Sequence, residues 1–228
     1  MQVGINGFFW GREETGSGQY LRGLVRGLTS LEADLRCTLI APRNGPLPGD
    51  MKRYPVRLPR LGRNLSKLWF EQLTFSATCR RLQADIAHVP YYAAPLFSSV
   101  PMVVTVHDLI PLILGEYRGG PLVRAYIRLV SAAARRAQAL ISDSESTRQD
   151  ILARLGVPQE RVNVVPLAVD DRLAETLVLR TKWKVVSQVP LSKDSRFIST
   201  VSKHFRQRHL LGSHQRASHD GVPHASAA

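Results

Sequence analysis

The sequence has little cysteine, with only Cys37 and Cys79 among 228 residues. That count excludes a small secreted scaffold held together by many disulfides. No apolar run approaches the roughly 18 residues that a membrane-spanning helix needs. The N-terminus, MQVGINGFFWGREE, lacks the basic segment and apolar stretch of a secretory signal. These absences predict a cytoplasmic protein.

Several common functional motifs are also missing. The sequence contains neither GxGxxG nor GxxxxGK[ST], which disfavours nicotinamide enzymes and nucleoside triphosphatases. It contains no GxSxG, so an α/β-hydrolase triad is not supported. Five of the seven histidines recur at five-residue steps from His204 to His224, a spacing that scatters side chains around a helix. We therefore predict no metal site and no cofactor.

Positive charge is present in excess, and its character changes along the chain. The net charge is +13, of which residues 1–172 carry +7 and residues 173–228 carry +6. The first part uses 20 Arg and 2 Lys, and the second uses 5 Arg and 4 Lys. Residues 173–228 also show no sustained period of 2 or 3.6. We predict a domain over 1–172 and a tail that is either disordered or translated from a shifted reading frame.

The first part of the chain alternates apolar strands with amphipathic helices. This alternation predicts an α/β fold with one doubly wound parallel sheet. The predicted strands are Val3–Asn6, Cys37–Ala41, Asp85–Val89, Met102–Val106, Ala139–Ile141 and the VNVV run within Arg161–Pro166. The predicted helices are Gly18–Leu31, Leu65–Leu82, one after Pro121, and one from a Ser142/Glu145 capping box to Leu155.

Two surfaces of the predicted helices stand out. In the second helix the apolar positions share one stripe, composed of Leu61, Leu65, Leu68, Trp69, Leu73 and Ala77. In the third, Arg124, Arg128 and Arg135 share a face that the basic segment Lys52–Arg63 and Lys67 can extend. Such a surface suits phosphates or anionic lipid headgroups, although a solvated face explains it equally. Few aromatics lie among these bases, which disfavours nucleic acid as a partner.

Ligands of open parallel sheets bind beyond the carboxyl ends of the strands. One predicted strand end carries His107 and Asp108, and an imidazole there can act as acid, base or hydrogen-bond donor, or serve only as a capped strand-end residue. The loop Thr15–Gly18 precedes a helix and can hold an anion on its N–H groups, or merely permit a tight turn. The polar run Ser142–Glu145 could contact a ligand, but helix capping is the simpler explanation. His88 is interpreted as structural.

Five segments in order resemble a known family. They are TGSGQYLRGLVRGL, LWFEQL, ADIAHVPYYAAP, PMVVTVHDLIPL and ALISDSESTRQDILARLGVPQERVNVVPLAVD. Together they resemble the N-terminal domain of glycosyltransferase family 4, the group 1 glycosyltransferases of GT-B fold, over residues 1–172. The resemblance implies a Rossmann-like domain that binds the acceptor in a retaining sugar transfer from a nucleotide-sugar donor.

The resemblance also implies site residues. It places His107 at the reaction centre, as the catalytic candidate. It assigns donor-phosphate or acceptor binding to Gly16, Ser17, Gly18, Asp108, Tyr91 and Ser144. The implied partners are the nucleotide-sugar donor and a sugar, lipid or glycan acceptor, with an anionic membrane surface at the inner face of the membrane as a further candidate.

The sequence departs from the family after Asp171. The family continues with a second Rossmann-like domain that holds the nucleotide sugar and has two glutamates seven residues apart, whereas this chain has only Glu175 before Asp194. We expect the chain to retain the acceptor-binding half and to be inactive alone, since transfer requires the donor held against the acceptor. The alternatives are a non-catalytic binding module, a partner of a separate donor-domain chain, and a nucleic-acid binder driven by the tail.

Overall fold

The computed structural model describes residues 1–30, 35–43, 45–49 and 51–167, all within one compact unit, Met1–Ala168. The predicted boundary near residue 172, the tail 173–228 and its five histidines lie outside the described residues. So does Leu31, the predicted end of the first helix.

The described unit is built on a seven-stranded sheet in which every neighbouring pair is parallel. The strands in chain order are β1 Gln2–Asn6, β2 Arg36–Ala41, β3 Lys52–Pro55, β4 Ile86–Val89, β5 Met102–Val106, β6 Ala139–Ser142 and β7 Val162–Val164. Their spatial order is β3-β2-β1-β4-β5-β6-β7. The predicted α/β class and doubly wound sheet are confirmed.

The order of the strands reverses direction between β1 and β4, which pair through Ile5 and His88 among others. In a doubly wound sheet the crossovers run to opposite faces on either side of this point, so a crevice opens between the loops that leave the two strands. Those loops begin at Gly7 and Pro90. The topology therefore predetermines where a ligand can enter.

Strand β3 was missed by the sequence analysis, which interpreted Lys52–Arg63 only as a basic segment. Its residues, Lys-Arg-Tyr-Pro, lack the apolar run of a central strand, and it lies at the edge of the sheet. Lysine, arginine and proline are residues that protect an exposed strand edge against pairing with another chain. The polar composition of β3 suits an edge strand, and only the order of strands in the sheet shows that β3 lies at the edge.

The helices are α1 Gly16–Ser30, α2 Arg63–Trp69, α3 Phe75–Arg81, α4 Ile110–Ile113, α5 Pro121–Arg135 and α6 Glu145–Leu155. A π-helical turn, Phe70–Thr74, joins α2 to α3 into the single helix that the sequence predicts. The single-turn helix α4 was not predicted. Helix α6 ends at Gly156, which has φ 63°, as its stop signals indicated.

The cap of α6 differs from the prediction. Ser144, not Ser142, is the N-cap, and its Oγ accepts a hydrogen bond of 3.1 Å from the N–H of Thr147. Ser142 is instead the last residue of β6 and fully buried. The two serines lie two residues apart and both precede acidic residues, so the spacing alone favoured the wrong one. The ladder pairing of Val106 with Ser142 decides it.

The apolar stripe of the second helix is exposed. Leu61, Leu65, Trp69 and Leu73 are 49%, 58%, 46% and 52% accessible, whereas Phe70, Phe75 and Cys79 are completely buried. The helix is apolar on more than one face, and the face that carries Phe70 and Phe75 is the one buried in the core. Phe70 packs on Phe8, and the Cys79 thiol lies over Gly4, where an added Cβ would stand 2.8 Å from it. Burial raises the pKa of Cys79 to about 12, consistent with an inert core thiol.

His88 is the buried histidine of β4, and its Nε2 lies 3.0 Å from the Thr105 hydroxyl of β5. Burial, with a smaller contribution from His107, lowers the pKa of His88 to about 4 from an ordinary value of 6.5. The folded protein therefore keeps His88 neutral where the unfolded chain already binds a proton. The structural interpretation of this residue agrees with its position in the sheet.

We expect His88 to make stability pH-dependent on the acid side. The contribution of His88 to the free energy of unfolding is fully present above pH 6.5 and should be lost as the pH falls towards 4. The loss is up to about 1.4 kcal/mol per pH unit and reaches about 2 kcal/mol at pH 5. Urea denaturation of the protein and of His88→Gln between pH 7 and pH 4.5 measures the difference. Parallel curves for the two proteins would refute this role, because the carboxylates titrate equally in both.

Candidate functional site

The loops after β1, β4 and β5 and the start of α1 enclose a cavity of about 300 Å³ at the carboxyl edge of the sheet. Its polar lining comes from Ser17, Lys67, His107 and Asp108. Its apolar walls include Phe9, Tyr91, Leu109, Leu112, Ile127 and Val130. A few polar groups converging in a mostly apolar cavity are typical of small-molecule sites.

His107 follows β5 and is held from three sides. Its Nδ1 lies 2.6 Å from Asp143 Oδ2, its Nε2 lies 3.3 Å from the carbonyl oxygen of Pro90, and the Tyr20 ring stands edge-on with its centroid 4.6 Å away. Asp143 follows β6, whose register with β5 brings the two strand ends together. Three separate segments thus fix the imidazole at the mouth of the cavity.

The two contacts of the imidazole constrain its protonation. Both Asp143 Oδ2 and the Pro90 carbonyl are acceptors, so a ring that makes both hydrogen bonds carries a proton on each nitrogen. When a ligand takes the place of the longer, 3.3 Å contact, Nε2 becomes available to it. Asp143 orients the ring through the other nitrogen. The arrangement suits His107 as a hydrogen-bond or proton donor to a bound group.

The glycine loop forms the N-terminus of α1. Thr15 is the N-cap, and its Oγ accepts a hydrogen bond of 3.1 Å from the N–H of Gly18. The N–H groups of Gly16 and Ser17 donate no hydrogen bond to any residue in the described part of the chain. Because Ser17 lines the cavity, these two groups are the donors that the loop offers to an anion.

The two glycines of this loop serve different purposes. A Cβ on Gly18 would stand 2.0 Å from the carbonyl oxygen of Arg12, whereas a Cβ on Gly16 would meet nothing within 4 Å. Gly18 is therefore required by the close approach of two backbone segments. Gly16 lies in open space, where a small side chain would fit without contacting the protein.

Tyr91 is buried and lies beneath the cavity. Its hydroxyl donates to Asn6 Oδ1 over 3.1 Å, and its ring stands edge-on to Phe9 at 4.8 Å. Burial, with the nearby Glu71 carboxylate, raises the pKa of Tyr91 well above its usual value. Tyr91 thus contributes an apolar ring to the cavity, since its hydroxyl is engaged with β1.

A polar cluster on the π-helical turn forms one wall. Glu71 is completely buried. Lys67 Nζ lies 2.5 Å from Glu71 Oε1 and donates to the Tyr126 hydroxyl over 2.7 Å, while that hydroxyl donates to Glu71 Oε2 over 2.9 Å. Burial raises the pKa of Glu71, and the Lys67 ammonium and the hydrogen bonds oppose that rise. π-Helical turns are often found at functional sites.

The remaining predicted site residues occupy the rim or lie behind it. Asp108 lines the cavity, and its Oδ1 accepts from the N–H of Ile110 over 3.1 Å, which caps α4. Ser144 is engaged with Thr147 as the cap of α6. The structure thus brings Ser17, Tyr91, His107 and Asp108 to one cavity and does not bring Ser144 into it.

A larger cavity, about 770 Å³, opens at the other end of the sheet, beside the start of β5. It lies between α3 and the loop 95–101 and includes Leu73, Phe97 and Arg136. The Arg136 guanidinium stacks on the exposed Phe97 ring at 5.1 Å. None of the predicted site residues lies in it, so its size does not make it the functional site.

The described residues lack two further kinds of feature. They contain no group of three or more His, Cys, Asp or Glu side chains that could hold a metal ion. They also contain no helix long and apolar enough to cross a membrane.

Residues 15–173 match the family model described as Glycosyltransferase Family 4. The chain belongs to glycosyltransferase family 4. Its sheet is the Rossmann-like N-terminal half of the GT-B fold, as the ordered motifs predicted. No curated protein sequence matches the chain.

Solved structures give matches at low sequence identity. The lipopolysaccharide outer core galactosyltransferase WaaB matches at 9% identity and TM-score 0.48, covering 75% of this chain and 46% of that chain. HepE of Anabaena, solved with UDP, matches at 13% identity and TM-score 0.49, covering 79% and 49%. A sucrose-phosphate synthase structure from Thermosynechococcus elongatus matches at 12% and TM-score 0.48, covering 78% and 96%. The chain spans about half the length of WaaB and of HepE.

Three features of this candidate site were not predicted. Asp143 was assigned to capping, although it is the partner of His107. Tyr20, the second residue after Gly18, touches the same imidazole. The Lys67–Glu71 pair had a signal in its i,i+4 spacing, but that spacing indicates a surface pair and does not reveal that Glu71 is buried.

Proposed function

We propose that this chain provides the acceptor-binding half of a retaining glycosyltransferase that moves a sugar from a nucleotide-sugar donor. Family membership and one geometric observation support the proposal. Ser17 at the start of α1 and His107 at the end of β5 line the same cavity. An anion-binding helix terminus and a proton donor therefore converge where donor and acceptor would meet.

The site residues have distinct roles in this proposal. The N–H groups of Gly16 and Ser17 bind the donor diphosphate, while Gly18 lets α1 approach the loop before it. His107 is the catalytic residue, held by Asp143 and donating from Nε2 to the reacting sugars. Tyr91 and Asp108 form the floor and rim of the acceptor pocket. Ser144 acts indirectly, by fixing the start of α6 next to Asp143.

We propose a domain over residues 1–172, and that sugar transfer requires a nucleotide-binding domain in addition to it. Catalysis depends on holding both reactants in one geometry, and the described residues form one sheet with the cavity at its carboxyl edge. A separate donor-domain chain that co-purifies with this one would support the alternative of a binding partner.

The exposed helix face favours a peripheral membrane location, at the inner face of the membrane. Leu61, Leu65, Trp69 and Leu73 are about half accessible, and Arg63 begins the same helix. The one acidic residue between 63 and 81, Glu71, is buried, so nothing on this face repels an anionic surface. Phosphatidylglycerol vesicles, one arm of the Lys67 experiment below, measure this association directly.

Pyrophosphate binding tests the donor-phosphate role. We expect pyrophosphate to shift the amide NMR signals of Gly16 and Ser17, and Gly16→Pro to weaken its binding about tenfold by removing one N–H to a charged ligand. Proline is well accepted at the first position of a helix, so the variant should fold. Gly16→Ala is the matched control, with binding close to that of the unchanged chain. Equal binding by Gly16→Pro would contradict the role.

A further inference from the structure

We propose that Lys67 binds an anionic group of the acceptor, and that the acceptor carries a phosphoryl group at this position. The inference rests on the acceptor-binding role proposed above and specifies its substrate class. It comes from the polar cluster of Lys67, Glu71 and Tyr126, which folding by itself does not require.

The ammonium of Lys67 is presented to the cavity with a donor to spare. It has three N–H donors, one of which is donated to the Tyr126 hydroxyl, and its charge pairs with Glu71. Its side chain is 27% accessible, although Glu71 behind it is completely buried. Among the residues that line this cavity, Lys67 is the lysine or arginine. The ammonium therefore keeps a donor that a ligand in the cavity can use.

The buried carboxylate serves to position this ammonium. A buried ion pair costs desolvation energy that its attraction barely recovers, and apolar residues of similar volume often stabilise a fold better. Here the acid sits on a π-helical turn and is bound from two sides by Lys67 and Tyr126. The Nζ also lies 4.9 Å from the Tyr126 ring centre and 5.8 Å from that of Tyr91. Such a fixed cation is typical of a binding site rather than of a solvated lysine.

Further positive charge lies next to Lys67. The Arg12 guanidinium is 5.1 Å from the Phe8 ring centre, and Lys67 Nζ is 5.9 Å from the same centre. Both cations therefore contact one aromatic ring. Arg12 Nε is buried without a hydrogen-bond partner among the described residues. Burial lowers the pKa of Arg12, and so do Arg43 and Arg63.

These charges select the class of ligand. Arg43 and Arg63 act on Arg12 as like charges, and Glu14 is the carboxylate that acts on Arg12 in the opposite sense. A phosphate monoester, with up to two negative charges and several acceptor oxygens, matches such a cluster better than a neutral sugar does. The cavity of about 300 Å³ is at the lower end of small-molecule sites.

The test compares glucose 6-phosphate with glucose on the full 228-residue chain, followed through methyl NMR signals of Leu109, Leu112 and Val130. We expect saturable shifts with the phosphate and none with glucose. Lys67→Met/Glu71→Gln removes both charges together, so the fold keeps no unpaired buried ion, and should weaken binding about tenfold or more.

Controls separate this proposal from the donor role and from a general charge effect. Lys67→Arg should retain binding, and Arg154→Gln, which removes an exposed charge in the last turn of α6, should not change it. Gly16→Pro should leave glucose 6-phosphate bound. If Gly16→Pro loses pyrophosphate while Lys67→Met/Glu71→Gln binds glucose 6-phosphate normally, the donor role stands and this inference is wrong.

Vesicles distinguish a soluble phosphate from a lipid headgroup. The chain is incubated with vesicles of phosphatidylglycerol and phosphatidylcholine, or of phosphatidylcholine alone. A lipid acceptor predicts anionic-vesicle binding that the Lys67→Met/Glu71→Gln variant loses and Arg154→Gln keeps. A soluble acceptor predicts that only glucose 6-phosphate binding responds to Lys67. Absence of a Lys67-dependent difference with both probes overturns the proposal.

Discussion

Replacing Lys67 by methionine should lower the free energy of unfolding by about 3 kcal/mol, the lower end of the range for breaking a buried ion pair. The substitution removes the cation 2.5 Å from Glu71 and leaves a completely buried carboxylate with the Tyr126 hydroxyl alone. We take the lower end because Lys67 itself is 27% accessible and partly screened by water. Urea denaturation at pH 7 measures the change.

The paired variant provides the internal control. In Lys67→Met/Glu71→Gln the amide can still accept from Tyr126 and no charge remains buried, so most of the lost stability should return. Stability in the double variant as low as in Lys67→Met alone would show that packing by the lysine stem, and not the buried charge, is what matters. The comparison is a double-mutant cycle on residues in direct contact, where non-additivity is expected.

Replacing Gly18 by alanine should be about as damaging, at roughly 2–3 kcal/mol. The new methyl group would stand 2.0 Å from the backbone oxygen of Arg12 and 2.7 Å from its carbonyl carbon. Neither atom belongs to a flexible side chain, so relief requires α1 or the preceding loop to move. That movement would also disturb the hydrogen bond from the N–H of Gly18 to Thr15.

Gly16→Ala is the matched substitution in the same turn of helix. An added Cβ there meets nothing within 4 Å, and alanine is the better helix former, so stability should rise by about 0.5 kcal/mol. Thermal unfolding of the two variants compares them directly. A similar loss of stability in both would mean that the loop tolerates no side chain at all, contrary to the close contact found only at Gly18.

Local sequence signals predicted most of the fold because strand and helix formation depends on residues that are neighbours in the chain. Continuous β-branched residues gave β5 with its observed bounds, and Gly156 with Pro158 gave the end of α6. The same signals failed for β3, whose lysine, arginine and proline suit an edge that only the sheet order defines. They also failed for the second helix, where two faces are apolar and periodicity cannot tell which one the sheet will bury.

The candidate site was likewise predicted in part. The residues at strand ends were identifiable, because polar residues after apolar strands mark the carboxyl edge of a parallel sheet. His107 was found in this way, whereas Ser17 was found through the glycine loop that precedes a helix. Asp143 was not, since nothing local distinguishes a carboxylate that caps a helix from one that reaches across to the imidazole of the neighbouring strand.

The sequence has little cysteine and no long apolar run, and its first 172 residues use 20 Arg but only 2 Lys. The first two features exclude a disulfide-rich scaffold and a membrane-spanning helix. By itself the sequence determined the alternating strands and helices, the glycine turn before α1 and the family. Tertiary structure alone decided which groups meet: register places Asp143 against His107, and a π-helical turn buries Glu71 behind Lys67. The physical reason is that hydrogen-bond partners and burial depend on residues distant in the chain, here 36 positions apart for His107 and Asp143, whereas helix and strand formation depends on neighbours.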